Sequence, residues 1–404
     1  MEKYIYNDSE SFKGMDIENS FEGNIDDNIN ISTELEYFQL FFDNKIMKLL
    51  CDESNEYITD KLKKKYGENF KHKILEEKAY NTYRYLYVTK GINEDDILAF
   101  IGVRLFMGIH KYSCIDKYWS RDILYCCIAG EIMSKEYYYL IAYSLHFPQK
   151  SNINNLSDVI SNNSDESDPR KKINLFLELL CVNFRKYYTL GNNITIDESL
   201  LHFTGRNKMK FYIPMKPYKW GFKIHLLCDS NTNYLWDCFF DPGKDSKDFV
   251  YFEDNPSVTE SIVLRLISKI TDNKERNIFF DGWYSSISLL NKLTEKGYRN
   301  TTVIRGNAKD LPSKIKKDGY ENAYKNNILI QKFHDKKDIL FLSNYKISVD
   351  KLKNLYIIFK GIKLQFLVSK DLTLKFCQFN KIKIYKNSFF NLLVNKPFWR
   401  LNLV

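Results

Sequence analysis

The chain has 404 residues, 44% hydrophobic and 27% charged, which suits two or three packed domains and excludes wholesale disorder. No apolar run reaches the ~18–20 residues that cross a bilayer, and the opening MEKYIYNDSE has no signal pattern, so a secreted or membrane protein is not expected. The net charge of +9 is uneven: residues 1–35 hold nine acidic and two basic residues, whereas 301–404 hold 21 basic and seven acidic ones.

A basic half beside an acidic tail suits a polyanionic partner. A lysine-rich solvated surface gives the same balance, so charge alone leaves both readings open. The eight cysteines show no paired CxxC spacing apart from adjacent Cys126 and Cys127, and read as reduced thiols rather than a disulfide framework or zinc site.

Residues 1–33 are polar, acidic and aperiodic, and are expected to be disordered. From Glu34 the period is helical, with Leu35, Phe38, Phe42, Ile46 and Leu49 on one face. Asn93 with Asp96 reads as an N-cap pair for a helix whose apolar face is Ile97, Phe100, Ile101, Leu105 and Ile109. Another helix starts after Ser134 and carries Leu140, Ile141 and Leu145. Residues 149–170 read as a linker, followed by a helix with Ile173, Phe176, Leu179, Leu180 and Phe184 inward.

After Gly191 the period becomes that of strands. NITIDESLLHF, KWGFKIHLLCD and NYLWDCFFD form an expected antiparallel meander. Ser257 and Glu260 form a capping box for VTESIVLRLISKI. RNIFFDG is a buried strand, a helix runs from about Ser286 to Lys296 and stops at Gly297, and NTTVIRG is a fifth strand. The order β-β-β-α-β-α-β predicts an α/β sheet with mixed strand directions.

Asp197 and Asp281 sit in or at the end of apolar strands. A carboxylate there is costly unless it is paired or holds a cation, and hard cations such as Mg²⁺ take carboxylate oxygens together with substrate phosphate. Either aspartate could instead cap a turn. Residues 205–223, GRNKMKFYIPMKPYKWGFK, interleave Arg206, Lys208, Lys210, Lys216, Lys219 and Lys223 with Phe211, Tyr212, Tyr218 and Trp220. Cations neutralise phosphates and aromatics stack on exposed bases, although some of these rings will fill the core. His202 and His225 could face each other across paired strands. No Gly-rich phosphate loop, G-x-S-x-G or HExxH motif is present.

The motifs together resemble PiggyBac-type transposases. The resemblance rests on Ile196-Asp197-Glu198, Gly205-Arg206, the Tyr212–Lys223 run, Cys228-Asp229, FFDGWYSSISLLNKLTEKG, VIRGNAKDLP and KKDILFLSNY. In the N-terminal half it rests on FQLFFDNKIMKLL, FIGVRLFMGIHKYSCIDKYWS and MSKEYYYLIAYSLHF, so that it spans roughly 36–345.

It implies an RNase H-like mixed-sheet core (191–345) behind a helical dimerisation and DNA-binding domain (34–190). It further implies nuclear DNA cut-and-paste with Mg²⁺ at three aspartates, by a homodimer on double-stranded transposon ends. Asp197 and Asp281 match the first two aspartates, and both would ligate metal. Gly282 stands where the family usually has Asn. The third aspartate's Gly-Gly-Val-Asp setting is missing, and Asp350 of Val349-Asp350 is its nearest counterpart. The expected DNA contacts are Arg206, Lys208, Lys210, Lys216, Lys219, Lys223 and Arg305. Residues 346–404, lysine-rich and without the family's Cys-rich module, read as a degenerate segment. A domesticated remnant that binds DNA without cutting it is the alternative.

Overall fold

A computed structural model describes residues 5–6, 23–25, 33–80, 82–125, 128–147, 170–214, 216–243, 257–272, 274–308, 311–312, 322–334 and 338–346. In chain order, β1 (Ile5–Tyr6) and β2 (Asn24–Ile25) precede α1 (Glu34–Phe41), α2 (Asn44–Tyr66), α3 (Phe70–Glu76), α4 (Tyr83–Lys90) and α5 (Glu94–Ile109). A 3-10 turn (Ile115–Trp119), α6 (Ile128–Ile132), α7 (Lys135–Ser144) and α8 (Lys171–Lys186) complete the helical part.

The sheet part holds β3 (Tyr188–Thr189), β4 (Asn193–His202), β5 (Lys210–Tyr212), β6 (Trp220–Asp229), β7 (Leu235–Phe240), α9 (Val258–Ile267), β8 (Asn277–Phe280), α10 (Ile287–Glu295) and β9 (Arg299–Ile304). It ends with β10 (Asn322–Lys325), β11 (Ile328–His334) and β12 (Asp338–Ser343).

The apolar periods place the helices as read, with three differences, the first being that Leu35, expected on the apolar face, is exposed. The single helix expected from Glu34 is two, because Phe42 leaves helical geometry and the Asp43 carboxylate caps α2 by accepting the Ile46 amide at 2.9 Å. The apolar spacing runs in phase across this break, so periodicity could not reveal it. On α5, capped by the reciprocal Asn93–Asp96 pair, Ile97 and Phe100 are fully enclosed while Ile109 at the far end is exposed. Ser134 caps α7, and α8 buries Ile173, Phe176, Leu179, Leu180 and Phe184. No described helix is long and apolar enough to cross a membrane. The linker 149–170 lies outside the described residues apart from Arg170, which is buried and donates to the Phe240 carbonyl at 3.4 Å.

The five strands expected after Gly191 are β4, β6, β7, β8 and β9. Across the sheet they stand as β7-β6-β4-β8-β9, with β7/β6/β4 antiparallel and β4/β8/β9 parallel. This is the RNase H-like order. The parallel steps need helical crossovers, which α9 and α10 supply. Ser257 caps α9, but the Glu260 side chain does not close a reciprocal box; it accepts from Ser286 Oγ, 2.7 Å away, and ties α9 to the start of α10. Gly297 ends α10 at φ +79°, a conformation that strains any residue with a Cβ.

β12, β11 and β10 extend the sheet beyond β9 over a second apolar cluster that includes Ile330 and Leu342. Two pieces of the stretch expected to be disordered are strands: β1 pairs with β10 and β2 with β3. Of the five described cysteines, Cys51, Cys181, Cys228 and Cys238 are buried free thiols and Cys114 is exposed.

The basic run 205–223 folds into a hairpin in which β5 pairs with the first residues of β6, on the side away from β4 and before β7 begins to pair. Gly221 makes it possible. It pairs with His202 of β4 and Phe211 of β5, and a Cβ there would lie 2.0 Å from the Leu201 carbonyl oxygen. Gly221→Ala is therefore expected to cost roughly 1–3 kcal/mol or more, read as a lower urea midpoint; an unchanged midpoint would show that β4 and β6 can part at no cost.

Candidate active site

The parallel register of β4 and β8 pairs Ile196 with Phe280, so the next residues, Asp197 and Asp281, stand at the same level on neighbouring strands. Asp197 is half-buried, and its Oδ1 accepts the Glu198 amide at 2.8 Å. Burial first, then Glu198, and further Asp281, push the Asp197 carboxyl up to about 7, with Lys216 opposing. Asp281 Oδ1 accepts the Trp283 amide at 2.7 Å, and its carbonyl accepts the Tyr284 amide at 3.1 Å. The turn-capping role thus holds for Asp281, alongside its place beside Asp197. Gly282 lies under β9: a Cβ would meet the Val303 carbonyl at 3.0 Å, so the family's Asn would need β9 to give slightly.

Next to this pair is a basic and aromatic cluster that the sequence reading did not assemble. Lys216 Nζ lies 3.3 Å from Glu198 Oε1 and donates to the Glu198 carbonyl at 3.2 Å. Burial alone would raise Glu198, but Lys216 and Lys223 outweigh it and hold its carboxyl below the usual range. Lys223 is buried; its Nζ is 3.6 Å from Asp241 and 3.8 Å from the centre of the Trp283 ring. It was expected as a DNA contact, but its strand position aims it inward.

His225, two residues on and on the same face, is fully enclosed between Asp241 Oδ2 at 3.1 Å and the Tyr284 hydroxyl at 3.0 Å. Burial lowers His225, while Asp241 is held down against burial by His225, the Gly243 amide and Lys223. Tyr284 is pushed up by burial and by Glu198, Asp197, Asp281 and Asp241. A neutral imidazole beside an ionised Asp241 donates from Nε2 and accepts at Nδ1 from the Tyr284 hydroxyl. The chain Asp241–His225–Tyr284, with Trp283 stacked on His225 at 6.1 Å, anchors the turn that carries Asp281. His225 and His202 do not face each other: His225 pairs with Glu198, and His202 stacks on Tyr218 at 4.5 Å. The signal available in the sequence was the i, i+2 spacing of Lys223 and His225 on one strand.

The remaining expected contacts fall near the same edge. Arg206, Lys208 and Lys219 are exposed, and Lys210 donates to the Gly205 carbonyl at 2.8 Å. Arg305, exposed, follows β9 at the edge where the parallel strands end. Asp350 lies outside the described residues. Among the described residues no group of three or more His, Cys, Asp or Glu side chains could hold a metal ion. Asp197 and Asp281 nevertheless have the chemistry of two oxygen ligands for a hard cation: a carboxyl pushed up first by burial and then by its carboxylate neighbours is one that a cation would relieve.

The Transposase IS4 family model matches residues 33–356. Human PiggyBac transposable element-derived protein 2 is 21% identical over 272 residues, 66% of this chain and 39% of that protein. Human PiggyBac transposable element-derived protein 3 is 21% identical over 276 residues, 68% of this chain and 40% of that protein. The chain thus spans about two fifths of the length of these relatives. The cryo-EM structure of a piggyBac transposase synaptic complex with hairpin DNA superposes with a TM-score of 0.63 at 23% identity, covering 79% of this chain and 62% of that one. That likeness is one of fold.

Proposed function

The chain belongs to the Transposase IS4 family, in its PiggyBac-type branch, and from that premise we propose that it binds double-stranded DNA and holds a divalent metal at Asp197 and Asp281 for phosphodiester cleavage and strand transfer. The observation that carries the reading is the level placement of the two aspartates on adjacent parallel strands, with the Asp197 carboxyl pushed up to about 7. Mg²⁺ bound there would activate the attacking oxygen and stabilise the leaving one. The chain's own residues do the rest. Asp197 and Asp281 offer their carboxylates, with Asp350 as the third ligand the sequence suggests. Trp283 and Tyr284 fix the Asp281 turn. Arg206, Lys208, Lys219 and Arg305 grip phosphates, and Lys216 lies between the hairpin and the acidic pair. By resemblance it acts in the nucleus, as a homodimer on two DNA ends.

A second reading, DNA binding without cleavage, is favoured by one observation: Lys216 rests on Glu198 beside the aspartates, where its charge competes with a cation. A nicking assay on terminal-repeat DNA decides between them. Mg²⁺-dependent nicking that is lost in Asp281→Asn and Asp350→Ala supports cleavage; tight binding with no nicking leaves the binding reading.

Binding itself should be steeply salt-dependent. If Z phosphates are neutralised, log Kd against log salt should change with a magnitude of about 0.9Z. Replacing Arg206, Lys208 and Lys219 together by Ala should flatten that slope by about two to three units. No detectable duplex binding at ~50 mM salt, where such contacts are strong, would sink both readings.

A further inference from the structure

The sequence cannot say which aromatics of the 205–223 run are core and which are surface. The structure leaves three outside: Tyr212 is 50% exposed, Tyr218 42% and Trp220 46%. Among the described residues from 170 to 346, the one other large apolar side chain this exposed is Val258. An aromatic ring can bury roughly 150–250 Å², so three half-open rings within nine residues forgo much of that gain.

Their arrangement is ordered. Tyr212 and Trp220 are direct cross-strand partners with ring centres 4.6 Å apart, and Lys210 Nζ lies 4.7 Å over the Trp220 ring. Tyr218 rests on His202. The loop between them is moored to the acidic site by Lys216, which reaches Glu198. From Ser199 to Cys228 there is no acidic residue, and Arg206, Lys208 and Lys219 are exposed around the rings.

Duplex DNA presents phosphates and groove edges, with its base faces stacked inside. Phosphate contacts explain the cations of this hairpin and leave its flat rings without a role. Unpaired bases expose π-faces, and a cationic groove set with open aromatics is how single strands are held without sequence preference. We propose that Tyr212, Trp220 and Tyr218 form a stacking platform for unpaired nucleobases, holding single-stranded DNA beside the Asp197–Asp281 pair. This rests on the DNA-binding reading above and adds to it a strand state: the DNA next to the carboxylates is unpaired.

The test compares three probes of equal length on the unmodified chain: a duplex, an oligo-dT single strand, and an abasic single strand with the same phosphates. Stacking predicts at least tenfold weaker binding of the abasic strand than of oligo-dT, since each stacked base contributes on that scale. It also predicts quenching of tryptophan fluorescence by oligo-dT that is lost in Trp220→Ala. Trp220→Ala and Tyr212→Ala should each weaken oligo-dT binding about tenfold and change duplex binding less than about twofold, with Trp220→Phe recovering most of the loss. Thermal melts confirm that the variants are folded; the abasic comparison needs no variant. Equal affinity for oligo-dT and the abasic strand overturns the platform and leaves duplex binding standing. Failure to bind any of the three overturns both.

Discussion

Asp197→Asn is expected to strengthen the metal-free fold while removing the chemistry. The folded Asp197 carboxyl sits at about 7, against about 3.9 in an unfolded chain. Between these values the folded state keeps a proton that the unfolded state has lost, so stability falls as pH rises through the window and the full penalty is present above it. About three units correspond to on the order of 4 kcal/mol, an upper bound because water and neighbouring charges relax around a half-buried group. Asparagine carries no charge to desolvate. The variant should therefore melt higher than the parent at pH 8 and match it near pH 4. Mg²⁺ should narrow the gap by stabilising the parent alone. Any Mg²⁺-dependent nicking should fall ~10³-fold or more, the scale of losing a charge clamp on a phosphoryl transition state, with duplex binding retained. A variant less stable than the parent at pH 8 would show that the Asp197 carboxylate carries no burial penalty, and equal Mg²⁺ stabilisation of both would remove Asp197 from the metal site.

The strands were legible because each is a short apolar run between turn residues, and because a half-buried aspartate at the end of NIFFD breaks the pattern where the chain leaves the sheet. Helix starts at Asn93, Ser134 and Ser286 were legible for a local reason: an N-cap acts over three residues, so the capping side chain itself marks the start. What could not be read depends on register. Whether a lysine in KWGFKIH meets phosphate or Asp241 is decided by which neighbours β6 acquires from β4, β5 and β7, and that pairing is long-range. For the same reason the sequence suggests His202 as the neighbour of His225, whose two partners instead come from the end of β7 and from the turn after β8. β1, paired with a strand more than 300 residues away, has no local signal at all.

Asp241→Ala should be among the most destabilising single changes in the sheet domain. Lys223 is buried beneath Trp283, faces Asp241 and Glu198, and has Lys216 pushing the other way; burial already holds its ammonium below the usual range. Removing Asp241 takes away its nearest counter-charge and the acceptor of His225 Nε2 together. Breaking one partner of a buried ion pair costs roughly 3–5 kcal/mol, most of it from the charge left behind.

The sign can be checked through pH. With its folded value depressed further below an unfolded value of about 10.4, Lys223 binds its proton more weakly when folded. Stability of the variant should then rise as pH is raised from 7 towards 10, as the lysine gives up its charge. A double variant, Asp241→Leu with Lys223→Met, should recover much of the loss, because an apolar pair can replace a buried ionic one at little cost. Chemical denaturation of the parent, the single and the double variant measures all three. A loss under about 1 kcal/mol, the ordinary size for a point substitution, or a double variant no better than the single, would show that Lys223 reaches water. If the pair behaves as described, the single variant should also nick DNA more slowly while binding it normally, because Trp283 and Tyr284 would no longer be held and the turn that presents Asp281 would loosen.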